Sequence, residues 1–147
     1  MNLTIHAPAA RLALAFGLFA GAATAAAAQA AAVPAERPVS YASDQADRGE
    51  DRYQKDCEEC HGDDLKGGLN GGAPLRGLAF EQKYFDGLPA SVMFAFMSST
   101  MPPNSPGRFS ENTYADLMAY ILKRNGVQAG APLPPDFDAL DYLIMEK

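Results

Sequence analysis

Apolar positions between residues 45 and 57 recur at the spacing of an α-helix. The stripe consists of Ala46, Gly49, Tyr53 and Cys57. Ser43 or Asp44 is placed to cap this helix at its start. A glycine inside a helix costs about 1 kcal/mol relative to alanine. We therefore expect another backbone to cross the helix closely at Gly49.

A second helical stripe lies between residues 111 and 125 and supplies the crossing partner. Its apolar face consists of Tyr114, Leu117, Met118, Ile121 and Leu122. Ser110 is placed to cap this helix and Gly126 to end it. We expect the groove formed by Gly49 and Tyr53 to receive Leu117 and Tyr120.

The chain between and beyond these helices carries weaker patterns. Residues 80–85 predict a short helix, and the apolar run 92–97 predicts another that Pro89 opens at its first position. Residues 127–135 are rich in glycine, alanine and proline and indicate a linker. The apolar residues after it are Phe137, Leu140, Leu143 and Ile144. We expect this tail to pack back on the domain; the alternative is a segment that docks on a partner protein.

Residues 1–30 have the pattern of a secretory signal. Arg11 precedes an apolar stretch over 12–28, and small residues permit cleavage near Ala28 or Ala30. An uncleaved anchor is the alternative, although the stretch is short for a membrane span and rich in alanine. We therefore expect an exported, periplasmic protein with no stable membrane span after signal cleavage.

The chain that remains after cleavage is long enough for one domain. We expect a disordered segment over 31–43, a folded domain over 44–126, and the linker and tail over 127–147. The whole chain has 18 acidic and 12 basic residues and a formal net charge of −6. This acidity argues against nucleic-acid binding. It suits attraction to a positively charged patch on a partner protein.

The strongest chemical signal is the run CEECH at residues 57–61, which contains both cysteines of the chain. Such a run is the attachment site for a c-type haem: Cys57 and Cys60 form thioethers, and His61 becomes an iron ligand. His6 leaves with the signal, which makes ligation by two histidines of the mature chain impossible. The alternatives are a zinc site, which needs a fourth ligand, and a thioredoxin-like thiol pair, which needs strands alternating with helices.

A second iron ligand must come from methionine, lysine or tyrosine, or the position stays open. Met93 and Met97 lie in an apolar run that is typical of core packing. Met118 lies on a helix face and Met145 in the tail. Met101 is followed by two prolines, and proline keeps the preceding residue extended. Met101 is thus expected in a stiff loop, which makes it the preferred ligand, with Met97 second.

Four features combine over residues 44–126: the CEECH site, the G-x-x-x-Y-x-x-x-C stripe before it, the M-P-P loop and the helix YADLMAYILKRNG. Together they resemble the class I (monohaem) c-type cytochromes. The resemblance implies an all-α fold, a small helical cytochrome c fold wrapped around one covalently attached haem, with iron held by His61 and Met101. The run HGDDLKGG is also similar to small cytochromes that accompany quinoprotein dehydrogenases.

The resemblance further implies a haem pocket between the two ligands. In the family, a carbonyl near a proline accepts a hydrogen bond from the proximal histidine, which here indicates Ala73 or Pro74. Pro74 and Leu75 are expected to line the pocket. Arg76 is expected either to reach a haem propionate or to lie in solvent, and Tyr84 to replace the tryptophan that this chain lacks.

These expectations favour an electron carrier and not an enzyme, because an iron with two protein ligands has no position left for a substrate. We expect a dehydrogenase as the donor and an oxidase or another cytochrome as the acceptor. One alternative is a haem subunit fixed in a periplasmic quinoprotein-type dehydrogenase. Another is an enzyme or gas sensor with an open iron site.

Overall fold

The computed structural model describes Met1 and residues 33–147. The predicted signal and its cleavage positions fall outside the described residues. Val33–Lys147 form one compact unit. Its elements in chain order are β1 (Arg37–Pro38), α1 (Ser43–Asp56), α2 (Glu58–His61), α3 (Leu78–Tyr84), α4 (Ala90–Thr100), α5 (Glu111–Arg124), α6 (Phe137–Leu140) and β2 (Leu143–Ile144). Helices dominate this unit, which confirms the predicted all-α fold class.

Helices α1 and α5 cross at Gly49, as the sequence pattern predicts. A Cβ atom built on Gly49 would overlap the backbone oxygen of Asp116 and lie 2.9 Å from the Cβ of Tyr120. The rings of Tyr53 and Tyr120 pack beside this contact, with centroids 5.2 Å apart. Leu117 is buried at the same crossing face of α5. The absence of a side chain at Gly49 therefore allows the two backbones to meet.

The ends of α5 agree with the sequence, whereas the start of α1 does not. The Ser110 hydroxyl accepts a hydrogen bond from the backbone N–H of Thr113 at 3.3 Å, and Gly126 follows α5 with a φ of 88°. The cap of α1 is Ala42 and not Ser43 or Asp44. Alanine offers no side-chain acceptor to the first turn of the helix, but the Gln45 Oε1 receives the Ala42 N–H at 3.1 Å.

The predicted short helices exist with shifted bounds. The helix predicted over residues 80–85 is α3, which begins at Leu78 and ends at Tyr84. Pro89 is the N-cap of α4 and not its first helical residue. Its extended geometry, with φ −60° and ψ 142°, places it just outside the helix.

Residues 37–41, within the segment 31–43 for which the sequence predicts disorder, pair and pack with distant parts of the unit. Strand β1 pairs in parallel with β2 from the other end of the chain. Val39 and Tyr41 are 3% and 5% exposed, and the Tyr41 hydroxyl donates to the carbonyl of Val127 at 3.1 Å. The partner of this segment lies about a hundred residues away, so local composition carries no sign of the pairing.

The tail packs back on the helices, as expected. Leu133, Leu140 and Met145 are buried, and the Met145 N–H donates to the carbonyl of Leu88 at 2.8 Å. The folded unit therefore continues past residue 126 to the end of the tail. Within the described residues, no helix combines the length and the apolar character that a membrane crossing requires.

Candidate haem-attachment site

Cys57 lies between α1 and α2, and Cys60 lies in α2, about one helical turn further along. Cys57 ends α1, with its N–H bonded to the carbonyl of Tyr53 at 2.9 Å, and its own carbonyl receives the His61 N–H at 2.9 Å. Both thiols are free and half-buried. Burial, aided by the negative charge of Asp56, raises the pKa of the Cys57 thiol to about 11. At neutral pH, with no metal or haem bound, this group is thus a neutral thiol.

The imidazole of His61 is oriented by the loop that follows it. Its Nδ1 lies 2.6 Å from the carbonyl oxygen of Ala73. A carbonyl can only accept, so Nδ1 carries the proton and Nε2 is left with a free lone pair. Between the two candidates left by the sequence, the structure uses the carbonyl of Ala73 and not that of Pro74. This bond fixes the tautomer and the orientation of a ring ready to bind a metal through Nε2.

Two glycines bring this loop against the cysteine turn. A Cβ on Gly68 would lie 2.6 Å from the carbonyl oxygen of Cys60, and one on Gly72 would overlap the same oxygen. The Gly68 N–H donates to that oxygen at 2.8 Å. The sequence showed a glycine-rich run here without showing what it contacts. Its role is to let the backbone that carries Ala73 approach the cysteine turn.

Met101 lies immediately after α4 in the geometry that its prolines predict. Its φ of −116° and ψ of 143° are extended, and its side chain is half-buried against the core. The Tyr114 hydroxyl donates to the Met101 carbonyl at 2.7 Å. The other candidate ligands, Met93, Met97, Met118 and Met145, are all buried in the core, at most 8% exposed.

Comparison with known families agrees with this arrangement. The model of the family described as "Cytochrome C oxidase, cbb3-type, subunit III" matches residues 44–121. The chain belongs to this family. It is a c-type cytochrome, which implies covalently bound haem c, iron and a part in electron transport. No curated protein matches the chain.

The residues of this cytochrome fit the haem that the family implies. The site offers two thiols one turn apart and an imidazole whose Nε2 is free. Within the part of the chain that the structure describes, no three His, Cys, Asp or Glu side chains are grouped to hold a metal ion by themselves. The described unit, which is mainly helical with one short two-stranded ladder, also lacks the strand–helix alternation of a thioredoxin-like protein. The two thiols would therefore hold a haem covalently, and the His61 imidazole would bind its iron.

The other residues predicted to line the haem pocket differ in how far they are buried. Leu75 packs against the core, while Pro74 is exposed. Tyr84 is buried in α3, where its ring centroid lies 4.9 Å from that of Phe80. Arg76 lines a surface pocket together with Arg124. Their contact with haem stays a prediction.

A charged cluster that the sequence pattern did not predict lies beside Cys57. Asp56 forms ion pairs with Arg52, at 2.9 Å, and with Arg108. Both guanidinium groups lie over the ring of Phe109, at 5.0 and 4.5 Å from its centroid. The cluster ties the loop after Met101 to the end of α1. Only the spacing of Arg52 and Asp56, one helical turn apart, was visible in the sequence.

Proposed function

We propose that this cytochrome is an exported one-electron carrier with a single haem c, bound through Cys57 and Cys60 and ligated by His61 and Met101. The observation that carries the proposal is the hydrogen bond from His61 Nδ1 to Ala73. A histidine next to a two-cysteine turn, with one nitrogen already engaged and the other free, is prepared for one role. That role is axial ligation of a porphyrin attached to the same turn.

The haem supplies one-electron chemistry, and a methionine opposite a histidine raises its reduction potential. The protein's part is to hold the two ligands. A thioether is a weak ligand, so a preformed extended loop at Met101 lowers the entropy lost on binding iron. With both axial positions occupied, no site is left for a substrate, which favours a carrier over an enzyme.

We place the protein in the periplasm because its N-terminal pattern is that of a secretory signal and because bacterial haem c attachment takes place outside the cytoplasmic membrane. The partners that suit this chemistry are a dehydrogenase as donor and an oxidase or another cytochrome as acceptor. The family name supports an oxidase, and the run HGDDLKGG supports a quinoprotein dehydrogenase. The acidic net charge of −6 favours a positively charged docking patch on either partner.

The deciding experiment is a visible spectrum of the oxidised protein purified after periplasmic expression. We expect haem that acid–acetone does not extract, and a weak sulfur-to-iron charge-transfer band. Met101→Ala should abolish this band and Met97→Ala should leave it. Loss of the band in Met97→Ala alone would transfer the ligand role to Met97, and extractable haem would refute thioether attachment.

An open iron site, as in a haem enzyme or a gas sensor, is the second candidate function. It predicts fast and complete carbon monoxide binding to the reduced wild-type protein at neutral pH, whereas ligation by Met101 predicts slow binding. A fixed dehydrogenase subunit is a third candidate. Size-exclusion chromatography of native extracts separates the two cases. A fixed subunit should elute together with a large subunit, whereas a free carrier should elute alone.

A further inference from the structure

Tyr114 connects the last long helix to the residue proposed as the distal iron ligand. Its side chain extends from the first turn of α5, and its hydroxyl donates to the backbone carbonyl of Met101 at 2.7 Å. Met101 is the first residue after α4, where a helix leaves its last carbonyls without partners inside the helix. The Tyr114 hydroxyl therefore satisfies a carbonyl that α4 itself does not use.

The ring of Tyr114 packs against two other aromatic rings, which restricts the position of its hydroxyl. Phe94 of α4 meets it edge-on with centroids 6.5 Å apart, and Phe109 does so at 5.5 Å. Tyr114 is 2% exposed. A rigid, buried donor of this kind restrains the backbone of its acceptor more strongly than a solvent-exposed side chain would.

The restraint acts at the point where the chain changes from helix to extended loop. On one side, the Met101 N–H donates to the carbonyl of Met97 at 3.0 Å and continues the helical pattern. On the other side, Pro102 has no N–H to donate. With both its N–H and its carbonyl engaged, Met101 has a fixed backbone from which its side chain projects.

We propose that Tyr114 is a positioning residue for the distal ligand: its hydroxyl holds the Met101 backbone so that the thioether stays directed toward the iron. This inference rests on the proposed function, since it requires Met101 to be the ligand. Without the hydroxyl, the Met101 backbone is more mobile, so binding of its sulfur to iron costs more conformational entropy. We expect the sulfur to dissociate from the iron about fivefold more often. A fivefold change in an equilibrium constant is about what the net loss of one hydrogen bond typically causes.

The test is Tyr114→Phe, which removes only the hydroxyl, and its readout is the rate of carbon monoxide binding to the reduced protein. This rate reports how often the sixth position opens. The matched control is Tyr53→Phe. Tyr53 is 1% exposed, and its hydroxyl donates to the carbonyl of Gly62 at 2.6 Å, next to His61 and away from Met101 in the chain.

We expect both variants to lose similar thermal stability, because each loses one buried bond from a hydroxyl to a carbonyl. The binding rate should rise about fivefold in Tyr114→Phe and stay near the wild-type value in Tyr53→Phe. Equal rates in the two variants would overturn the positioning role. If Tyr114→Phe does not accumulate with haem, Phe109→Leu loosens the ring and keeps the hydroxyl. A smaller rise is then expected, and an unchanged rate would overturn the inference.

Met101→Ala, measured beside these variants, separates this inference from the proposed function. If it leaves the charge-transfer band intact, the ligand assignment fails and the role of Tyr114 fails with it. If it abolishes the band while Tyr114→Phe behaves like Tyr53→Phe, the ligand assignment stands and only the positioning role is lost.

Discussion

Gly49 and Asp116 meet backbone to backbone where α1 crosses α5, and a methyl group on Gly49 would overlap the carbonyl oxygen of Asp116. The contact is reinforced by Arg48, whose Nε donates to the Asp116 carboxylate at 2.8 Å. Because α1 leads into the cysteine turn and α5 carries Tyr114, this crossing sets how the two halves of the proposed site face each other.

Gly49→Ala should destabilise the protein even though alanine favours helix by about 1 kcal/mol. Overpacking at a backbone contact costs about 1–3 kcal/mol net in similar cases, because neither main chain can move without shifting its helix. Urea unfolding of the haem-loaded protein measures the change. Gln54→Ala, at an exposed position of the same helix, is the control and should differ little from wild type. A Gly49→Ala protein as stable as this control would contradict the close crossing.

Gly72→Ala should lower the yield of covalently attached haem. The added methyl group would overlap the carbonyl oxygen of Cys60 and lie 3.0 Å from the backbone nitrogen of His61. Gly71→Ala is a neighbouring control, because its Cβ would enter open space and only its φ of 81° opposes the change. The ratio of haem to protein in purified samples should fall clearly below the control value. A similar ratio in both variants would contradict the clash with Cys60 as the cause.

Leu140→Ala tests whether the tail is part of the folding unit. Leu140 is fully buried, and removing such a side chain typically costs about 2–5 kcal/mol. Leu69→Ala, at a fully exposed position, should cost much less. Thermal unfolding followed by circular dichroism compares the two. Equal midpoints would mean that the tail contributes nothing to the stability of the core.

Asp56→Asn should raise the reduction potential. Asp56 precedes Cys57, and a negative charge close to the attached haem favours the ferric state, so its removal favours the ferrous state. The expected rise is on the order of tens of millivolts, since Arg52 and Arg108 offset part of the charge. The Asp56 side chain is only 16% exposed, so the effect should persist at high salt. Asp138→Asn, at an exposed position in α6, should leave the potential unchanged in the same redox titration.

The parts of the fold that the sequence predicted are those encoded by local spacing. Apolar residues three and four apart located α1 and α5, and Gly49 indicated their crossing. The prolines after Met101 predicted its extended backbone. These signals act within one or two turns of chain, so no knowledge of distant contacts was needed.

The parts that could not be predicted depend on contacts between distant residues. The pairing of Arg37 with Leu143 has no local pattern, and neither does the capping of Ala42 by Gln45. The choice of Ala73 over Pro74 as the acceptor for His61 depends on how Gly68 and Gly72 seat the loop. The ligand role of Met101 itself stays a prediction, supported by its surroundings.

The parallel pairing of β1 with β2 also constrains the order of events during synthesis. A ribosome that still encloses residues 143–144 keeps Ile144 away from Pro38. The cysteine turn at residues 57–61 emerges many residues earlier, so both thiols are present before this ladder can form. The β1–β2 ladder is therefore a late contact in chain growth, which forms after α1 and the cysteine turn have been made.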